Sequence, residues 1–466
     1  MSELTRTDPS DQVAPVSSSG DPADPATDNA WFTAWRRREL SRIDRDGLTY
    51  ADYTGSALAP ESLLRRDAER LLGGVLGNPH SQHLASVRSS ADIDEARDAI
   101  LAFLGASPDD YTVILTANAS AALKLVGESF AFGADRELLL TADNHNSVLG
   151  MREFARRRGA PVRTVPFAEE FRIGEPDWGG DGLFAYPAQS NFSGVRHDLG
   201  LIARAHDAGY RVLLDAAAMV PTSQLDLGRY RPDFVALSLY KIVGWPAGIG
   251  ALVARHEALA ELERPWFAGG TVDWVSVSHE RHRLASGPER FEDGTPPFLV
   301  AGAVAPALVA VTAVDRDRLA RHCHRLVARF LEGLGALRHP DGSPMAAIYG
   351  PTSAIDRGAT VPFNLLRSDR SVVPHWDVER LAASRRLAIR GGCFCNPGCA
   401  EEAFGWPLER VGELLSALGE EFTVPRFGAA LGDFPVGAVR ASFGLGSVMA
   451  DVDRTLEVLA EIATAS

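Results

Sequence analysis

Lysine is almost absent from this chain: of its 47 basic residues only Lys124 and Lys241 are lysines, and the other 45 are arginines. Arginine keeps its proton in proteins and forms no imine, so chemistry that needs a free amine has two places to occur. Cysteine is scarce as well, four in 466 residues, and three of them crowd at Cys393, Cys395 and Cys399. That is no framework of paired disulfides, and it points to the cytosol. Positive net charge is missing: 61 acidic against 47 basic residues leave −14, which argues against nucleic acid or an anionic membrane as the main partner. A small molecule is the better default. No uninterrupted apolar run is long enough to span a bilayer. The segment from Met1 to about Asn29 lacks the basic start and apolar centre of a signal peptide and, rich in Asp, Pro, Ser and Thr, reads as a disordered tail.

What is present is ample core material, 45% hydrophobic against 23% charged residues. Short apolar runs read as buried strands: Tyr111 to Leu115, Arg211 to Leu214 ending in Asp215, Asp233 to Leu239 ending at Tyr240 and Lys241, and Gly250 to Val253. Helical patterns such as Ala119 to Phe130 separate runs of this kind, so an α/β sheet with crossover connections is the economical fold. Ligands in such sheets lie beyond the carboxyl ends of the strands, where Asp215 and Lys241 fall.

An aspartate and a lysine on neighbouring strand ends match the needs of pyridoxal 5'-phosphate (PLP), whose aldehyde takes a lysine and whose ring nitrogen takes a carboxylate. Alone, Asp215 reads equally well as a strand-end cap. The run Thr116-Ala117-Asn118-Ala119-Ser120, between a strand and an apolar helix, offers N–H groups and hydroxyls to a phosphate, Ser120 foremost, although caps look the same. Lys124, the competing amine, sits mid-helix and suits a surface charge.

Several stretches then occur together: Tyr53-Thr54-Gly55-Ser56-Ala57, Asn78-Pro79-His80-Ser81, Asp143-Asn144-His145-Asn146-Ser147-Val148, Leu214-Asp215-Ala216-Ala217-Ala218, Ser238-Leu239-Tyr240-Lys241-Ile242-Val243-Gly244, Phe291-Glu292-Asp293-Gly294-Thr295 and Gly392-Cys393-Phe394-Cys395-Asn396-Pro397-Gly398. From about Tyr50 onward the chain resembles the class V aminotransferases, in their cysteine desulfurase and molybdenum cofactor sulfurase branch. The resemblance implies a fold-type I architecture. Residues 30–60 and 306–466 would form a small α+β domain, residues 61–305 the large PLP-binding domain, and the active site would lie at a homodimer interface. By matching positions Lys241 is the Schiff-base lysine, Asp215 the pyridinium partner and His145 the residue stacked on the ring. Ala119, Ser120, Ser238 and Tyr240 surround the phosphate, with Thr295 reaching it from the neighbouring subunit. Asn191 lies near the cofactor's phenol oxygen, and Arg440, whose fork suits a carboxylate, clamps the substrate.

The resemblance also puts Cys395 at the sulfur-accepting position, since a thiol partly ionised near neutrality can attack the sulfur of a bound cysteine. Glycines on either side, at Gly391-Gly392 and Gly398, are expected to let that thiol move between cofactor and acceptor. The implied reaction yields alanine and a persulfide, with Lys241 handling the α-proton, His145 a proton donor or shuttle, and a protein or small molecule as acceptor. Alternatives stay open: a structural zinc on the three thiols, inert buried cysteines, a C–S lyase (β-elimination) or transamination on the same scaffold, or a scaffold or sulfur carrier with no catalysis. Two departures stand out. Common desulfurases have a glutamine where this chain has Ala218, and the Asn396-Pro397-Gly398-Cys399-Ala400 order differs from the sulfurase branch's Asn-Pro-Gly-Ala-Cys. The molybdenum-cofactor-binding domain of eukaryotic sulfurases is not expected before Ser466.

Overall fold

The computed structural model describes residues 25–432 and 434–466. Its first element, helix α1 (Pro25–Glu39), corrects the expected tail at its end. Residues 25–29 are helical, and Asp28 is fully buried between Arg318 and Arg325, 2.7 Å from each. The rest of that segment, residues 1–24, lies outside the described residues. A composition rich in Asp and Pro cannot reveal a carboxylate that two distant arginines have claimed.

Seven strands build the large sheet: β1 (Tyr111–Thr116), β2 (Arg136–Thr141), β3 (Val162–Val165), β4 (Asp181–Pro187), β5 (Tyr210–Asp215), β6 (Phe234–Ser238) and β7 (Gly250–Arg255). Their order is β1-β7-β6-β5-β4-β2-β3, and all run parallel except β7, which opposes both neighbours. The strands read as apolar runs because both faces are covered. Alternate residues feed opposite cores: Phe184, Val212, Leu214, Val235 and Leu237 enter one, and Leu183, Leu213, Phe234, Ala236 and Leu252 the other. Helices α2 (Leu84–Phe103), α3 (Ala119–Ser129), α4 (Leu239–Val243) and α5 (Val304–Thr312) flank the sheet. The last of these passes the expected boundary at 305, with Ala307, Leu308 and Val311 still in the large core.

A second core starts at Val314 and gathers Phe32 and Ala51 with Leu319, Phe330, Val361, Val439 and Leu459. Around it lie helices α6 (Arg316–Ala336) and α8 (Met449–Ala465) and an antiparallel sheet of β8 (Ala346–Ile348), β9 (Thr360–Leu365), β10 (Arg390–Gly392) and β11 (Ala438–Ser442), in the order β8-β9-β11-β10, while α7 (Pro397–Phe404) packs in a small separate core with Phe192 and Phe394. The N-terminal segment therefore packs with the C-terminal third of the chain. Among the described residues no single helix is long and apolar enough to cross a membrane.

Candidate active site

Adjacent parallel strands end together, and that places the central pair. Asp215 closes β5, Ser238 closes β6, and α4 follows at once with Tyr240 and Lys241 on its single turn and a half. Both residues line a cleft shared with Ala119, Ser120, His145, Gln189, Asn191 and Ser238. Burial pushes the Lys241 amine below its usual range; the Asp215 carboxylate opposes that shift and Arg440 reinforces it. A depressed ammonium leaves more of the neutral, nucleophilic amine at neutral pH. Lys124 is exposed and paired at 2.8 Å with Glu128 one helical turn on, a surface charge.

At the far wall of the cleft, Asn118 caps α3 by accepting the Ala121 N–H at 3.0 Å, and the Ala119 N–H donates to Ser238 Oγ at 2.8 Å. Ser120 Oγ lies 2.6 Å from Ser147 Oγ. Glycine is required at 250 on β7, because a Cβ there would come within 2.5 Å of the Asn118 backbone. A helix start with hydroxyls converging on it is a natural anion cradle.

His145 follows β2 as the N-cap of a short turn. Its Nδ1 accepts the Ser147 N–H at 3.1 Å, so the proton of the neutral ring belongs on Nε2. Burial lowers its pKa and Asp215 opposes the change, so the ring is neutral at pH 7.

Arg440, on β11, is 3% exposed. It donates to Asn191 O at 2.9 Å and to Asp52 Oδ1 at 3.1 Å, and its guanidinium lies 4.6 Å over the Phe394 ring. Burial brings it down to about 10 against the pull of Asp52, and its Nε has no partner. Such a buried, unsatisfied donor suits an incoming anion. Asp52 is shared with Arg390, at 2.6 Å, on the more exposed side.

Cys395 is exposed on the turn between β10 and α7. Phe394 and Cys395 both adopt left-handed backbone, φ 53° and 56°, a conformation that costs about 1–2 kcal/mol per residue outside glycine. The turn is held there by Asn191 Nδ2 donating to Phe394 O at 2.7 Å and the Asn146 N–H donating to Cys395 O at 2.7 Å. Of the glycines expected to give the thiol mobility, Gly398 meets a packing demand. Gly398 is the second residue of α7, and a Cβ on it would meet Ala142 O at 2.1 Å, so its role is to let the helix start close on the end of β2.

The three thiols part company. Cys393 Sγ donates to Val436 O at 3.4 Å and burial pushes it up to about 11. Cys399 is fully buried, donates to Asp143 and is pushed well above its usual range by burial and that carboxylate. Among the described residues, no group of three or more His, Cys, Asp or Glu converges as a metal site.

Thr295 is absent from the cleft's lining and exposed, its Oγ1 accepting from Asn78 Nδ2 at 3.2 Å. Three site neighbours escaped sequence reasoning: Asp52, Asp143 and Gln189. Gln189 lines the cleft and donates to Ala218 O at 3.0 Å, next to the position where common desulfurases carry their own glutamine. Its sequence signal was only its place two residues before Asn191.

Against known proteins, residues 49–455 match the model of the aminotransferase class-V family. The chain belongs to this family. It is an enzyme of fold type I, a class that works with PLP. It is 34% identical over 474 residues to the molybdenum cofactor sulfurase of Drosophila mojavensis, covering 91% of this chain and 58% of that protein. The sulfurases of Bos taurus, 34% identical, and Arabidopsis thaliana, 33%, are matched over 91% of this chain and 51% and 57% of their own length. The chain thus spans little more than half of these relatives. Among solved structures it resembles an apo cysteine desulfurase from Thermococcus onnurineus NA1, with TM-score 0.76 and 25% identity over 93% of this chain and 98% of that one. The cysteine desulfurase CsdA of Escherichia coli, 21% identical with TM-score 0.73 over 93% of this chain and 98% of its own, shares the fold.

The donor set fits PLP. One cleft offers an amine with a depressed pKa, a carboxylate at the neighbouring strand end, and a helix start with hydroxyls for a phosphate.

Proposed function

We propose that this enzyme takes sulfur from L-cysteine or a cysteine derivative, leaving alanine and a persulfide on Cys395. One observation carries the reading: an exposed thiol stands on a turn that Asn191 ties to the cleft of Lys241, with the Arg440 guanidinium stacked on the neighbouring Phe394 ring. Asp215 would hold the cofactor's ring nitrogen, and Ala119, Ser120, Ser238 and Tyr240 its phosphate, with Asn191 and Gln189 along its edge. When bound, PLP supplies an electron sink for the charge released at the substrate α-carbon.

The chain's own groups do the rest. Arg440 engages the substrate carboxylate and orients the amino acid. Lys241, whose neutral form burial favours, removes the α-proton. The Cys395 thiolate attacks the substrate sulfur; the S–S bond forms as the C–S bond breaks, and the electron pair of the broken bond remains with the three-carbon fragment. That fragment regains protons, with His145 Nε2–H as donor, and leaves as alanine. An acceptor thiol or protein then removes the sulfur. We further propose a homodimer in which Thr295 serves the partner's cleft. In support, Thr295 is exposed outside its own cleft, and Trp266, Trp274 and Val277 are 53%, 56% and 92% exposed.

Purified holoenzyme given L-cysteine and a reductant should release alanine and sulfide in equal amounts, and Cys395→Ser should stop both while the yellow colour of lysine-bound cofactor persists. Pyruvate release that does not depend on Cys395 would instead establish elimination and overturn the proposal.

A further inference from the structure

Behind the cysteine turn lies a buried polar cluster that the proposed chemistry does not use. At its centre Asp143, fully buried at the end of β2, accepts four side-chain hydrogen bonds. They come from His197 Nε2 at 2.8 Å, Ser190 Oγ at 3.0 Å, Asn396 Nδ2 at 2.6 Å and Cys399 Sγ at 3.3 Å. A buried carboxylate is expensive unless its oxygens are saturated in this way, so the cluster acts as a unit. Two of its donors, Asn396 and Cys399, belong to the segment that carries Cys395.

Asn396 is the link. Its Nδ2 donates both to Asp143 and, at 3.0 Å, to Asn191 Oδ1, which leaves Asn191 Nδ2 free to donate to Phe394 O. Its Oδ1 accepts the Cys399 N–H at 3.2 Å and so caps α7. Asn396 is 1% exposed. The chain of contacts thus runs from Asp143 through Asn396 and Asn191 to the left-handed Phe394–Cys395 pair, and through the Asn191 carbonyl to Arg440.

We propose that Asp143 is a positioning residue for Cys395: through Asn396 it clamps the 393–399 turn from its buried side, so the thiol stands fixed at the cleft rim and the sulfur acceptor comes to it. The proposal deepens the desulfurase reading and rests on it for its kinetic consequence, but not for its structural one. His197 and Ser190 hold the carboxylate in place; Cys399 completes its shell and receives no sulfur.

The test uses Asp143→Asn holoenzyme, with Asn396→Ala as the second variant should the first fail to fold. Two readouts need no turnover: hydrogen exchange of the amides in 393–397, and the rate at which iodoacetamide alkylates Cys395 without cysteine present. Loss of a charge-assisted bond from the clamp should raise exchange about tenfold and change the alkylation rate. With L-cysteine, persulfide formation should slow about tenfold while KM and the visible absorbance of the bound cofactor stay put. A generally loosened fold would move KM and absorbance together with the rate, and that result overturns the proposal. Unchanged exchange and alkylation in a folded variant overturn it too. Should Cys395→Ser still form persulfide, the desulfurase reading fails by itself, and exchange and alkylation still decide the clamp.

Discussion

Replacing Arg440 by lysine separates the fork from the charge. In the wild type the guanidinium is buried, bonded to Asn191 O and Asp52, stacked on Phe394, and has an unused Nε. A planar fork gives a carboxylate two parallel N–H bonds, whereas an ammonium at this site gives one. A hydrogen bond to a charged group contributes about 1.5–3 kcal/mol, so losing one weakens binding of the substrate carboxylate by about 10- to 150-fold at about 1.4 kcal/mol per decade. The loss should fall mainly on KM if the clamp holds ground state and transition state alike. Titrating the visible absorbance of the holoenzyme with L-alanine and with ethylamine isolates the effect, because only alanine carries a carboxylate. Arg440→Lys should weaken alanine by that factor and ethylamine by less than about threefold. Equal losses for both ligands would show that Arg440 supports the turn through Phe394 and Asn191 and clamps no carboxylate.

Other consequences follow from the same contacts. Burial lowers the folded-state pKa of Lys241 below its ordinary 10.5. The unfolded chain therefore binds the extra proton between the two values, and the burial penalty is full below the folded pKa and vanishes as pH rises through the unfolded one. In urea titrations apo Lys241→Met should outlast the wild type at pH 7, with the gap closing toward pH 10.5; a pH-independent gap would refute the shift. Iodoacetamide should label Cys395 in the native protein and reach Cys399 and Cys323, 0% and 2% exposed, only after unfolding. Gly398→Ala forces a Cβ against Ala142 O, and the overpacking should lower unfolding stability by at least about 1–3 kcal/mol. A neutral result there would restore the view that the glycine serves mobility.

Much of the site could be read from the sequence because its residues sit where chemistry leaves local marks. Asp215 and Lys241 end apolar runs that are strands, and scarcity of lysine isolates the amine. Asn118 to Ser120 looks like a cap because it is one, and the same groups face the cleft. The residues that escaped reading are those whose role is relational. Asp52 matters through Arg440 and Arg390, which arrive from more than 300 positions away. Asp143 lies within a quoted motif, yet only the fold brings Asn396 and Cys399 to it. Gly398 looked like a hinge because sequence shows freedom of φ and not the carbonyl that a side chain would strike. Asp28 looked like tail because its arginine partners lie in α6.

The central claim is that Cys395 receives the sulfur. Mass spectrometry of the holoenzyme quenched by alkylation after one turnover with L-cysteine tests it most directly. The account predicts that the peptide carrying Cys395 gains the mass of one sulfur atom, that Cys393, Cys399 and Cys323 stay unmodified, and that Cys395→Ser shows no persulfide. A persulfide on another cysteine, or alanine formation that persists in Cys395→Ser, would contradict it.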